Sequence, residues 1–350
     1  MFFGSDTTAP AHPSVLKAMA RANEGYPHSY GADHAMDEIR AQIRDLFEAP
    51  DAAVYLVATG TAANALILAT LVDPWQAVFC HRSAHIETDE CGAPEFYTGG
   101  AKLVLIDGEH AKISPDELEN ALSTTGQVGV HGVQRGMLSL TNATENGTIY
   151  TPAEVAALTR IAHADGLPVH MDGARFANAV VAAGCTPAQM TWKAGVDALS
   201  FGGTKNGLIG VEGVIFFDPK HAWEFELRRK RGGHLFSKHR YLAAQMQAYL
   251  DGDLWRDMAT AANAVAQRLS KGILTIEGAS LVHPTQANGV FASWPRIGHR
   301  RAYAAGAEYY FWPEGASLEG PDDETLPARL MCSWSTTNDD VDDFLAAIRG

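Results

Sequence analysis

The sequence predicts an α/β fold, with a mainly parallel central sheet, helices on both faces and a smaller C-terminal α+β domain. Three observations carry this. Short apolar runs alternate with helical patterns through the first 249 residues, the signature of repeated βα units. Two of those runs end in strings of polar residues, His170-Met171-Asp172-Gly173-Ala174-Arg175 and Ser200-Phe201-Gly202-Gly203-Thr204-Lys205-Asn206-Gly207. After Tyr249 the texture changes, so residues 1–249 read as an N-terminal arm with a large α/β domain and 250–350 as the small domain.

Taken in order, Pro13 to Asn23 has a short amphipathic helical pattern, and Met36 to Phe47 a stronger one with Met36, Ile39, Ile43, Leu46 and Phe47 on one face. Tyr26 to Gly31 reads as the loop between them. Val54–Val57 is an apolar strand, Thr59-Gly60-Thr61 a turn, and Ala62–Leu68 a helix. Strands follow at Ala77–Cys80, Lys102–Ile106 and Gln127–Val133, with helices at Pro115–Leu122 and Pro152–Ala164. The runs ending at Val169 and Leu199 supply two more strands. In the small domain, a helix from Leu254 to Lys271 precedes strands near Leu281, Val290, Tyr309 and Arg329, and Asp339–Ile348 closes the chain as a helix.

Composition narrows the function classes. With 350 residues, 46% apolar and 19% charged, the chain is globular and large enough for two domains. A net charge of −14 argues against a duplex nucleic-acid surface. The one basic island, Arg228-Arg229-Lys230-Arg231, reads as a solvated helix face or, alternatively, as an anion site at a subunit boundary. No run is long enough to span a bilayer, and the start lacks the pattern of a signal peptide, so a cytoplasmic location is expected. Cys80, Cys91, Cys185 and Cys332 form no C-x-x-C pair and read as free thiols.

The chemistry lies at the strand ends. A carboxylate at one C-terminal end and a lysine at the next suit a Schiff-base cofactor: pyridoxal phosphate needs a lysine to hold its aldehyde as an imine and a carboxylate to keep its pyridine nitrogen protonated. Lys205 and Asp172 can supply both; each taken alone also reads as structural, Asp172 as a helix cap and Lys205 in an exposed glycine loop. Thr59 to Ala62 offers backbone N–H groups at a helix N-terminus, with Gly60 admitting a phosphate and Thr61 donating a hydroxyl. A competing metal site would use His81, His85, Asp89 and Asp172, but lacks the H-E-x-x-H form.

The ordered set Ser5-Asp6-Thr7, Tyr30-Gly31, Thr59-Gly60-Thr61-Ala62-Ala63-Asn64, Ala84-His85-Ile86, Leu138-Ser139-Leu140-Thr141, His170 to Arg175 and Thr204-Lys205 resembles the pyridoxal-phosphate-dependent threonine aldolase family, of aminotransferase fold type I, along nearly the whole chain. The resemblance implies retro-aldol cleavage of a β-hydroxy-α-amino acid, such as threonine, allo-threonine or phenylserine, to glycine and an aldehyde. It implies that Lys205 binds the cofactor covalently, Asp172 pairs with the pyridine nitrogen, Gly60 and Thr61 hold the phosphate and His85 stacks on the ring. Arg175 and Arg329, with Ser5, would hold the substrate carboxylate, and Lys238 would reach a neighbouring subunit's phosphate. Tyr30, His85 and His131 would border the side-chain pocket, with His85 and His131 as candidate bases; His131, in an apolar run, also reads as a core residue. The family's dimers and tetramers imply a homo-oligomer. No resident metal is expected. The same cradle also supports other reactions, β-elimination among them.

The lysine segment departs from the family's serine-lysine-glycine form, and Asp6-Thr7-Thr8-Ala9-Pro10 replaces an arginine-containing start. These changes leave the catalytic groups in place and bear on the substrate pocket.

Overall fold

A computed structural model describes all residues, 1–350. Its large sheet has seven strands: β1 (Ala53–Val57), β2 (Gln76–His81), β3 (Lys102–Ile106), β4 (Gln134–Thr141), β5 (Val169–Gly173), β6 (Ala198–Gly202) and β7 (Glu212–Phe216), in the order β1-β7-β6-β5-β4-β2-β3. Only β7 runs antiparallel to its neighbours. The sheet is covered by α1 (Pro13–Ala22), α2 (His34–Leu46), α3 (Gly60–Leu71), α4 (His85–Thr88), α5 (Ala93–Thr98), α6 (Pro115–Thr124), α7 (Pro152–Ala164), α8 (Phe176–Ala183), α9 (Pro187–Met190), α10 (Ala222–Arg231) and α11 (Arg240–Leu250). β1, β5, β6 and β7 are buried along their whole length, as expected of strands covered on both faces.

The small domain holds α12 (Leu254–Ile273), β8 (Ser280–Leu281), β9 (Gly289–Pro295), α13 (Arg296–Ala304), β10 (Tyr310–Phe311), β11 (Thr325–Met331) and α14 (Asn338–Arg349). Its four-stranded sheet is antiparallel, β10-β11-β9-β8. The expected boundary at 249/250 is blurred by α12. Trp255, Met258 and Ala259 belong to the large core, while Ala266, Leu269 and Ile273 belong to the small one. The N-terminal arm also joins the small domain, where Phe3 is fully buried and Phe2 bridges to Glu308. No helix is long and apolar enough to cross a membrane.

One expected strand is corrected. Residues 129–131 form an exposed 3-10 turn, and the strand begins at Gln134. Gly126 and Gly129 both adopt positive φ there, which interrupts extended backbone before the apolar run enters the sheet.

Candidate active site

The C-terminal ends of β1, β4, β5 and β6 converge on a cavity of about 360 Å³ lined by Thr7, Thr59, Gly60, Thr61, Asn64, His85, Glu90, Thr141, Glu145, Asp172, Arg175, Lys205 and Glu212, among others. A larger cleft of about 740 Å³ lies beside α6 and α7 and holds none of the expected residues.

Glycines bring the strand ends close enough to build this floor. A Cβ at Gly202 would lie 2.4 Å from the Ala174 carbonyl oxygen, and one at Gly203 would lie 2.7 Å from that of Val211. Only glycine lets these backbones meet, and the approach sets Lys205 beside Asp172. Burial lowers the Lys205 pKa first, with Arg175 adding to the effect, against Asp6, Asp172 and Glu212. The amine is therefore more readily neutral, the form that attacks an aldehyde.

Asp172 is held at both oxygens: Oδ1 accepts the Ala174 N–H at 2.9 Å and Oδ2 the Asn64 Nδ2–H at 2.9 Å. Behind it runs a buried polar chain. Ser139 meets His170 Nδ1 at 3.0 Å, His170 Nε2 meets Ser200 Oγ at 3.1 Å, and Ser200 donates to Asn64 Oδ1 at 2.7 Å. Burial pushes the His170 pKa down to about 4. A neutral imidazole receiving from one serine and donating to the other satisfies every member.

At the head of α3, Thr59 caps the helix by accepting the Ala62 N–H at 3.2 Å. The Gly60 and Thr61 amides have no acceptor within the chain, and the space where a Gly60 Cβ would project is open. Unpaired amides at the positive end of a 12-residue helix suit an anionic group.

His85 begins α4. Its Nδ1 lies 2.8 Å from the buried Glu90 carboxylate and its Nε2 lies 3.4 Å from Asp89. Glu90 raises the imidazole pKa, while burial and Lys205 oppose it. The His85 backbone N–H donates to Glu145 Oε1 at 2.9 Å. Burial, reinforced by Asp172, pushes the Glu145 pKa up to about 7; burial does the same to Glu212.

Arg175 faces the cavity but is already engaged. Its Nε and Nη2 donate to the two Asp6 oxygens at 2.6 and 2.9 Å. Burial alone would lower the Arg175 pKa, and the Asp6 charge and hydrogen bonds more than reverse it. Arg329, on β11, lies over the Trp312 ring at 5.5 Å and within the electrostatic reach of Arg175, Asp6 and Asp89.

Lys205, Asp172, His85, Gly60, Thr61 and Arg175 are thus brought together, with Arg329 beside them. His131 and Ser5 are corrected, while Tyr30 and Lys238 lie elsewhere in this chain. His131 sits at the N-terminal end of β4, whereas the cavity opens at the C-terminal ends, so it is outside this chain's pocket. Thr7, not Ser5, lines the cavity; Ser5 caps the turn at Asp6–Thr8 and borders a separate cleft. Tyr30 and Lys238 lie on one exposed ridge, where the Tyr30 N–H bonds Ser237 O at 3.0 Å, away from the pocket lining. In the metal quartet, His81 accepts the Ser83 N–H at 3.0 Å and donates to Gly108 O at 3.1 Å, which uses both ring nitrogens locally.

Sequence reading assigned no role to Asp6, Asn64, Glu90, Glu145 or Glu212. Asn64 stands out in hindsight as the one amide in an otherwise apolar stretch of α3, and Glu212 as the one charge in its strand.

The chain matches the beta-eliminating lyase family over residues 3–294. It is 40% identical to a low specificity L-threonine aldolase of Pseudomonas aeruginosa over 348 residues, covering 99% of this chain and 96% of that protein. The corresponding Pseudomonas sp. protein is 39% identical over the same share of each. A Leishmania major threonine aldolase structure superposes with a TM-score of 0.91 at 27% identity, covering 99% of this chain and 98% of that one. The chain belongs to the beta-eliminating lyase family, alongside the low specificity L-threonine aldolases.

Proposed function

We propose that this chain cleaves β-hydroxy-α-amino acids, L-threonine among them, into glycine and an aldehyde, with pyridoxal 5'-phosphate as cofactor. The observation that carries the reading is the single cavity shared by Lys205, Asp172, Arg175 and the open head of α3. The donor set fits the cofactor: an amine for the aldehyde, a carboxylate for the ring nitrogen and unpaired amides for the phosphate. When bound, the cofactor supplies an electron sink for the pair released as the Cα–Cβ bond breaks.

The chain's own residues do the rest. Asp172, fixed at both oxygens, holds a proton at the ring nitrogen. Arg175 and Arg329 orient the substrate carboxylate, a task suited to paired guanidinium donors. His85 Nε2 takes the β-hydroxyl proton; with His131 outside the pocket, His85 is the base of the original pair that remains. Thr7, rather than Ser5, supplies a hydroxyl at the carboxylate end.

The reading extends to a homo-oligomer, in which the exposed ridge of Tyr30 and Lys238 serves a partner's site. The four free cysteines, two of them buried, suit the reducing cytoplasm. The test is glycine and aldehyde release from L-threonine, L-allo-threonine and phenylserine by the cofactor-loaded enzyme. Stoichiometric glycine and aldehyde support the reading. 2-Oxobutanoate from the threonines, or phenylpyruvate from phenylserine, with ammonia would replace it with β-elimination.

A further inference from the structure

The roles above account for His85 and Asp172 but not for Glu90, a carboxylate buried in the same wall. Its side chain has no solvent exposure. Its Oε1 accepts from His85 Nδ1 at 2.8 Å and from Asn64 Nδ2 at 2.9 Å, while its Oε2 is buried without a partner. The Asn64 amide nitrogen also donates to Asp172 Oδ2 at 2.9 Å, and its carbonyl is fixed by Ser200. One buried amide therefore ties together the carboxylate behind His85 and the carboxylate assigned to the ring nitrogen. A buried charge with one free oxygen is costly, so its place here asks for a use.

We propose that Asn64 and Glu90 form a positioning clamp: Glu90 holds the His85 ring by Nδ1, and the amide that anchors Glu90 anchors Asp172, so that the group on the cofactor's face and the group at its nitrogen are set as one unit. The proposal rests on the functional reading above. With Nδ1–H donated to Glu90, Nε2 is the nitrogen left for proton transfer. The charged groups facing His85 are Glu90 and Asp89 beyond its own helix, Asp172 from β5, Lys205 after β6 and Glu145 after β4, the last through the His85 backbone.

The test uses the cofactor-loaded full chain and two readouts, the pyridoxal phosphate dissociation constant and the pH profile of kcat/KM. Glu90→Gln keeps the acceptor shape without the charge. It is expected to hold cofactor affinity within about twofold and move the acid limb of the profile down by about one pH unit. Glu90→Ala and Asn64→Ala are each expected to weaken cofactor binding about tenfold, and the double variant by about the same tenfold, since each removes one unit. An unmoved acid limb in Glu90→Gln, or a double variant weakened multiplicatively by about a hundredfold, overturns the clamp. Failure of the functional reading would show separately, as a wild-type enzyme that releases no aldehyde while the binding cycle still reports on the clamp.

Discussion

Asp6 is the joint of the molecule, and its removal gives a quantitative test. It comes from the N-terminal arm, is 2% exposed, and accepts two hydrogen bonds from Arg175 of the large domain and one, at 3.0 Å, from Asn288 of the small domain. Asp6→Ala leaves the Arg175 guanidinium, only 14% exposed, as an uncompensated buried charge, which costs about 4 kcal/mol. Per-residue unfolding entropies put the total for this chain near 0.7 kcal/mol/K, so the melting temperature should fall by about 5 °C. The sign of the pH dependence follows. Burial alone would raise the Asp6 pKa, but Arg175 holds it below the ordinary carboxylate value, so its stabilisation is present above that value and fades as pH falls through the folded pKa. Calorimetry of both proteins from pH 7 down to pH 3 should show the gap narrowing below about pH 4. A loss under about 1 kcal/mol at pH 7, or a gap that does not narrow, would refute the buried-pair reasoning.

Glu212 gives the opposite slope. Its pKa is pushed up to about 7 by burial, so its neutral form stabilises the fold below the ordinary carboxylate pKa and that stability is lost as pH rises through 7. Glu212→Gln should therefore match wild type at pH 4 and exceed it by about 3 kcal/mol at pH 8 in denaturant titrations of cofactor-stripped protein; equal curves at both values contradict this. Gly202→Ala drives a methyl into the Ala174 carbonyl and should cost several kcal/mol, on the order of an overpacked core, with cofactor retention falling in parallel in a gel-filtration assay. His131→Ala should leave kcat and KM within about twofold of wild type, since a surface change away from the site is near-neutral; a tenfold loss of kcat would return His131 to the mechanism.

The sheet and the cofactor cradle were legible because both write themselves locally. Strands such as Ala198–Leu199 are apolar runs, and Asp172 and Lys205 follow them at fixed positions. The failures share a cause. The apolar run around His131 suggested a strand that glycines at 126 and 129 break into a turn, because apolar composition alone does not separate strand from turn; its role at the pocket rested on the family resemblance alone. Asn64, Glu90 and Asp172 are joined across 26 and 108 residues of sequence, a contact that only the parallel sheet order creates. Ser5 and Thr7 differ by two positions, and the turn at Asp6–Thr8, not the residue type, decides which of the two residues lines the cavity.

The central claim is that Lys205 carries a pyridoxal phosphate used for carbon–carbon cleavage. The most direct measurement is the absorption spectrum of purified wild type beside Lys205→Ala, with aldehyde release from L-threonine followed on both. The account predicts a visible band in wild type that borohydride bleaches, aldehyde formed on substrate addition, and loss of the borohydride-fixed cofactor and of turnover in the variant. A colourless wild type that pyridoxal phosphate does not reconstitute, or a Lys205→Ala protein that turns over at the wild-type rate, would contradict it.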